Sequence, residues 1–107
     1  MYQRVASLKE LKEKNMIRVE LEGTAILLTI RNDQVFAIGD KCPHLGASLA
    51  KGSLSDGIVT CSKHHAQIDV TNGELVGSPK ILFLKVPAKN AKTYPTKVEE
   101  DHILVGI

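Results

Sequence analysis

Both cysteines of this 107-residue chain, Cys42 and Cys61, and three of its four histidines, His44, His64 and His65, lie between positions 42 and 65. Each cysteine has a histidine close behind it, as Cys42-Pro43-His44 and Cys61-Ser62-Lys63-His64, with residues 45 to 60 between the pairs. One such pair is an ordinary occurrence, but two in glycine-bearing loops are harder to dismiss. Thiolate and imidazole together are the ligand chemistry of zinc, iron and copper, so a two-Cys, two-His set can close a tetrahedral zinc site or hold a cluster. Zinc fingers group their cysteines in one knuckle and their histidines on a helix. Here each loop carries one of each, which suits two metals better than one. If the loops face each other, the two thiolates can bind one iron and the two imidazoles the other, with sulfides bridging.

The rest of the composition narrows the setting. With 43% hydrophobic and 24% charged residues, a chain of this length reads as one globular domain spanning 1–107, with no linker to divide it. It has no tryptophan and only four other aromatics (Tyr2, Phe36, Phe83, Tyr94), so the core must be aliphatic. Two cysteines exclude a disulfide-dense secreted scaffold. A formal charge of +2, scattered along the chain, does not suggest a nucleic-acid partner. The N-terminal MYQRVASLKE has no apolar stretch of the signal-peptide kind, and no run approaches the roughly 20 apolar residues that span a bilayer. A cytoplasmic protein without a membrane partner is expected, and in a reducing cytosol its cysteines are thiols or ligands before they are a disulfide.

Along the chain, Ser7 opens SLKELKEKN, with Glu10 three residues on as in a capping box and Leu8 and Leu11 at helical spacing, which predicts one or two helical turns. From Met16 the period changes: Ile17, Val19 and Leu21 alternate with Arg18, Glu20 and Glu22, as in a half-buried strand. Ala25 to Ile30 is a nearly continuous apolar run, joined through an Asn32-Asp33 hairpin turn to Val35, Phe36 and Ile38. Residues 40–80 are broken by glycines and prolines into short strands such as Ile58–Thr60 and Gln67–Val70, the loop-rich texture in which function tends to sit. Ile81 to Val86 reads as an apolar strand, and Thr96–Glu100 and Ile103–Val105 as a last pair around Asp101-His102. Strand-like segments heavily outnumber helical ones, which predicts an all-β domain, a small sandwich or barrel.

Cys42-x-His44 followed by Cys61-x-x-His64 resembles the ligand pattern of Rieske iron-sulfur proteins. The resemblance extends to Cys-Pro-His-Leu-Gly at 42–46, Leu49 with Gly52, Asp56-Gly57, Asp69 followed by Thr71-Asn72-Gly73-Glu74, and Tyr94-Pro95 with Val98, Glu99 and Glu100, which is nearly the whole chain. It implies small antiparallel sheets with a cluster-binding subdomain at one tip, built on loops within about 40–80. It also implies one 2Fe-2S cluster per chain, with Cys42 and Cys61 on the inner iron and His44 and His64 on the outer, solvent-facing iron. Two thiolates instead of four leave the oxidised cluster neutral rather than doubly negative, so it accepts an electron more easily. The function implied is that of a soluble, monomeric ferredoxin. It would carry single electrons from a reductase to a terminal enzyme, with an oxygenase system suggested, and would not itself be a catalyst. The chain has no Gly-x-Gly-x-x-Gly dinucleotide loop, so flavin or nicotinamide chemistry would belong to partners.

The chain also departs from part of that family. Where quinol-oxidising Rieske proteins tie their two loops by an extra disulfide, this sequence has Ala47 and Lys63; where they place hydroxyls against the cluster sulfurs, it has Ala66 and Ile68. Fewer donors to sulfur mean a lower potential, which predicts the ferredoxin branch. Lys63 acts in the opposite sense, modestly if exposed. His65 stands where many relatives have glycine and is expected to be a partly exposed neighbour, the family register favouring His64 as ligand. His102 is expected to be a solvated turn residue, and Pro79 to lie on a loop that shields the cluster. The 81–92 segment reads as a core strand with a lysine-bearing connector, or alternatively as a docking surface. Two other readings use the same residues: a structural zinc module, and a Rieske-like small subunit of a nitrite reductase, many of which lack the ligands present here. Thiol catalysis by Cys42 or Cys61 would need a base and an oxyanion site that the sequence does not offer.

Overall fold

The central strand of the fold is β3 (Thr24–Arg31), and its continuous apolar run is explained by burial on both faces. In the structure, a computed structural model describing residues 2–41, 48–62, 65–77, 80–81, 84–85 and 90–106, Ile26 and Leu28 point into one core and Leu27 into another. β3 lies between β2 (Met16–Leu21) and β4 (Gln34–Gly39), with β11 (Thr93–Tyr94) on the outer side of β4, in an antiparallel sheet ordered β11-β4-β3-β2. Its hairpins close through pairs of left-handed residues, Glu22-Gly23 between β2 and β3 and Asn32-Asp33 between β3 and β4, the backbone that a two-residue turn between right-twisted strands requires.

The first core is closed by α1 (Leu8–Lys14) and by the sheet β1-β13-β12, made of Tyr2–Ser7, His102–Gly106 and Thr96–Glu99. Leu11, Ile103 and Val105 are fully buried there against Ile26 and Leu28. Ser7 caps the helix as predicted, its Oγ accepting from the Glu10 N–H at 3.1 Å. The reciprocal half of the capping box is not made, because the Glu10 carboxylate pairs with Lys14 at 3.2 Å instead. Among the described residues no helix is long and apolar enough to cross a membrane.

The second core is capped by the sheet β5-β6-β7-β8, made of Ser53–Ser55, Ile58–Thr60, Gln67–Asp69 and Leu75–Gly77. Leu27 and Ile38 meet Leu49, Val59, Cys61, Ala66, Ile68 and Val70 there. After β7, Asp69 Oδ1 accepts from the Thr71 hydroxyl (2.6 Å) and N–H (2.9 Å), which hold the carboxyl below its ordinary range. The stability this contributes is present above the ordinary carboxylate pKa and is lost as pH falls through the depressed one.

Three sequence expectations are corrected. Tyr2–Ser7, assigned no element, is strand β1, paired with β13 through an irregularity between Arg4 and Ala6. Ile81 to Val86 is not one strand: β9 (Lys80–Ile81) and β10 (Leu84–Lys85) pair antiparallel, with Leu84 opposite Ile81. His102 is the half-buried first residue of β13 rather than a solvated turn residue. It stands opposite Ser7 and Glu99, with its Nε2 3.4 Å from an Arg4 guanidinium nitrogen.

The segment 90–94 ties the β5–β8 sheet to the central sheet. Asn90 Oδ1 accepts from the Leu75 N–H, the Ala91 N–H donates to the Gly73 carbonyl, and the Lys92 carbonyl accepts from the Gly39 N–H. Gly73 makes this contact possible: it has φ +76, and a Cβ there would stand 2.5 Å from the Ala91 carbonyl oxygen. Gly73→Ala should therefore lower stability by about 2 kcal/mol, the sum of a left-handed alanine and an overpacked contact, read as a lower urea midpoint.

Candidate metal centre

Cys61 follows directly on β6 and is 1% exposed, set among Leu27, Ile38, Leu49, Val59, Ala66, Ile68 and Val70. Its backbone is satisfied inside its own loop: the N–H donates to the Ala66 carbonyl (2.8 Å), and the carbonyl accepts from the His65 N–H (3.1 Å). The loop thus closes on itself before β7 begins. Cys61 is in no disulfide. His65 is exposed with φ +63, a left-handed residue at the place where many relatives of the resembled family have glycine, and its side chain contributes to no described hydrogen bond.

The first loop is closed at its base by Asp40, which ends the β4 hairpin. Lys41 bridges Ser48, and the Asp40 carbonyl accepts from the Leu49 N–H at 2.6 Å. The Asp40 carboxylate accepts from the Ser48 hydroxyl (2.5 Å), the Ala50 N–H (2.9 Å) and Arg18 Nε (3.2 Å). The Arg18 guanidinium also donates to Glu20 at 3.0 Å, and that bond first, with Asp40 behind it, holds its pKa above the ordinary arginine value. Leu49, the first residue of a short 3-10 turn (Leu49–Lys51), is fully buried beside Cys61 and Ala66. Both candidate loops therefore root in one core.

Of the four predicted ligands, the structure describes Cys61. Cys42, His44 and His64 lie outside the described residues, as do Ala47, Lys63 and Pro79, and among the described residues no three metal-ligating side chains gather. Ala66 and Ile68 are fully buried and bring no hydroxyl to the neighbourhood of Cys61. Neither Asp40 nor Arg18 belongs to a motif that the sequence marks as functional. The only trace of the pair in the sequence is an acid at a strand end just ahead of Cys-Pro-His and a basic residue on the polar face of β2.

Residues 1–95 match the Rieske [2Fe-2S] domain. The chain belongs to the Rieske family. Its Rieske domain is 35% identical to human apoptosis-inducing factor 3 over 101 residues, covering 94% of this chain but only 16% of that protein. It is 26% identical to the ferredoxin component of the naphthalene 1,2-dioxygenase system of Pseudomonas aeruginosa, covering 94% of this chain and 90% of that one. Its fold superposes on the ferredoxin of carbazole 1,9a-dioxygenase from Nocardioides aromaticivorans IC177 with a TM-score of 0.82 and 25% identity, over 98% and 96% of the two chains. The all-β expectation of small antiparallel sheets holds. The cofactor of a Rieske domain is a 2Fe-2S cluster, and the donor chemistry here fits it: a buried thiol in the core that also holds Leu49, at the end of a second segment whose sequence supplies another thiol and an imidazole.

Proposed function

We propose that this chain is a low-potential Rieske ferredoxin carrying single electrons from a reductase to a terminal enzyme, an oxygenase, with Cys42, His44, Cys61 and His64 as the ligands of its cluster. The observation that carries the reading is the near-complete mutual coverage with dioxygenase ferredoxins, 94% of this chain against 90% of the naphthalene system's component. On this reading residues 1–107 act as one domain in the cytoplasm, without nucleic-acid or membrane partners. The chain contributes no catalytic residue, and a reductase and an oxygenase are its two partners.

When bound, the cluster takes up and gives back one electron. The protein's own part is to hold the ligands and set the surroundings. Cys61, 1% exposed among aliphatic side chains, keeps water from its sulfur. Ala66 and Ile68, buried in the same core as Cys61, bring no hydroxyl that would stabilise added negative charge on a bound cluster. The reduction potential is therefore expected below zero, toward the lower end of the roughly −150 to +300 mV that Rieske centres span. A titration monitored by EPR measures it, and a value well into the positive range would overturn the assignment. Iron and acid-labile sulfide analysis tests the cofactor itself. Two of each per chain, a red-brown colour and a rhombic EPR signal on reduction are expected, whereas a colourless protein holding one zinc sinks the reading.

The identity to human apoptosis-inducing factor 3, of which this chain spans 16%, favours a second reading in which the same domain serves inside a longer protein. A free carrier mediates electron flow from a separate reductase to cytochrome c at a rate proportional to its own concentration. A domain adapted to covalent neighbours does not.

A further inference from the structure

Asp40 is 1% exposed, and a buried carboxylate is destabilising unless its oxygens are fully used. Here they are. Oδ1 accepts from the Ala50 N–H, and Oδ2 from the Ser48 hydroxyl and from Arg18 Nε. Its backbone adds two bonds, N–H to the Ala25 carbonyl at 3.0 Å and carbonyl from the Leu49 N–H. The partners sort into two groups. Arg18 and Ala25 belong to β2 and β3 of the central sheet, and Ser48, Leu49 and Ala50 form the far end of the loop that begins at Lys41. One residue therefore ties both ends of that loop to a rigid sheet, through charge-assisted bonds roughly twice as strong as neutral ones.

We infer that Asp40 is a positioning residue for the cluster: its buried carboxylate, bonded to Arg18, Ser48 and Ala50, pins the ends of the loop carrying Cys42 and His44. The inference rests on the proposed ligand assignment and adds to it a support that ligand spacing does not reveal. Arg18 is 44% exposed on its side chain and is shared with Glu20, so it steadies the carboxylate from the solvent side while Ser48 and Ala50 hold it from the loop. The arrangement is geometric, and Ser48 is as much a part of it as the acid.

The test compares Asp40→Ala, Asp40→Asn and Ser48→Ala with Ile103→Ala, a cavity variant in the opposite core that lowers the melting temperature without touching either loop. Loss of visible absorbance in excess chelator, the EPR line shape of the reduced protein and its reduction potential are the readouts. Asp40→Ala should release its cluster about 10- to 100-fold faster than the parent, the usual range for removing a group that orients a ligand. Asp40→Asn and Ser48→Ala, which preserve side-chain volume or charge, should shift the EPR line shape in the same direction by a smaller amount. They keep the inference testable if Asp40→Ala does not fold. Ile103→Ala should keep the parent line shape. The inference is overturned if Ile103→Ala reproduces the changes, if the Asp40 variants behave as the parent, or if Asp40→Asn moves the potential while Ser48→Ala changes nothing, since charge alone would then be acting. A parent protein without two irons and two sulfides overturns the ligand assignment as well, so the two failures are told apart.

Discussion

The His64→Ala protein is expected to fold and to lose its cluster, its iron content falling below about one-tenth of the parent value, while the His65→Ala protein keeps both iron and EPR signal. The two histidines are adjacent, so the pair separates a ligand from a neighbour with minimal change of sequence. His65 contributes through its backbone: its N–H donates to the Cys61 carbonyl, and its φ of +63 makes the turn that returns the chain to Ala66 and β7. Alanine preserves that bond and suffers the same left-handed backbone as histidine, and the side chain removed is exposed. Stability should therefore change by no more than about 0.5 kcal/mol. On the proposed assignment His64→Ala removes one of four ligands. The core around Leu11, Ile103 and Val105 draws on neither loop, so the strand signal in circular dichroism should survive in both variants. The reverse result, iron lost in His65→Ala and retained in His64→Ala, moves the ligand to the next position and refutes the Cys-x-x-His register.

Much of this architecture is legible in the sequence because short-range patterns carry it. Alternation in β2, the Asn32-Asp33 turn and the Ser7 cap are each decided within a few residues. β1 is not legible: its partner is β13 at the far end of the chain, and its residues mix Tyr2, Arg4 and Val5 without clean alternation. Ile81 to Val86 misleads for the opposite reason, since an unbroken apolar run does not show where Ile81 comes to face Leu84. His102 is displaced by one step of turn register, because the left-handed residue of that turn is Glu100. The site divides in the same way. Ligand spacing is local and readable. The Asp40 cluster is not, because the acid lies between Gly39 and Lys41 as any turn residue would, and its meaning depends on residues 18, 48 and 50.

Gly52→Ala is expected to cost about 3 kcal/mol or more and to alter the spectrum of the cluster, although the backbone there places no demand on glycine. Gly52 ends the 3-10 turn with φ −87, a value any residue adopts, and its N–H donates to the Leu49 carbonyl at 2.9 Å. The constraint is space. A Cβ would stand 1.9 Å from the Thr60 carbonyl oxygen and 3.2 Å from that of Leu49, and both are backbone atoms that no rotamer change can move. Thr60 is the last residue of β6, paired with Ser53 and directly followed by Cys61, while Leu49 is buried in the same core as Cys61. Relief must come from shifting β6 away from the turn or the turn away from β6, and either movement separates the roots of the two loops. Gly73→Ala, destabilised by a comparable clash on the side facing Ala91, leaves Thr60 and Leu49 in place and serves as the comparison. Gly52→Ala should therefore show a lower urea midpoint together with a changed EPR line shape, and Gly73→Ala a lower midpoint alone. A Gly52→Ala protein with the parent's midpoint and spectrum would show that the two loops are not held together through this close approach.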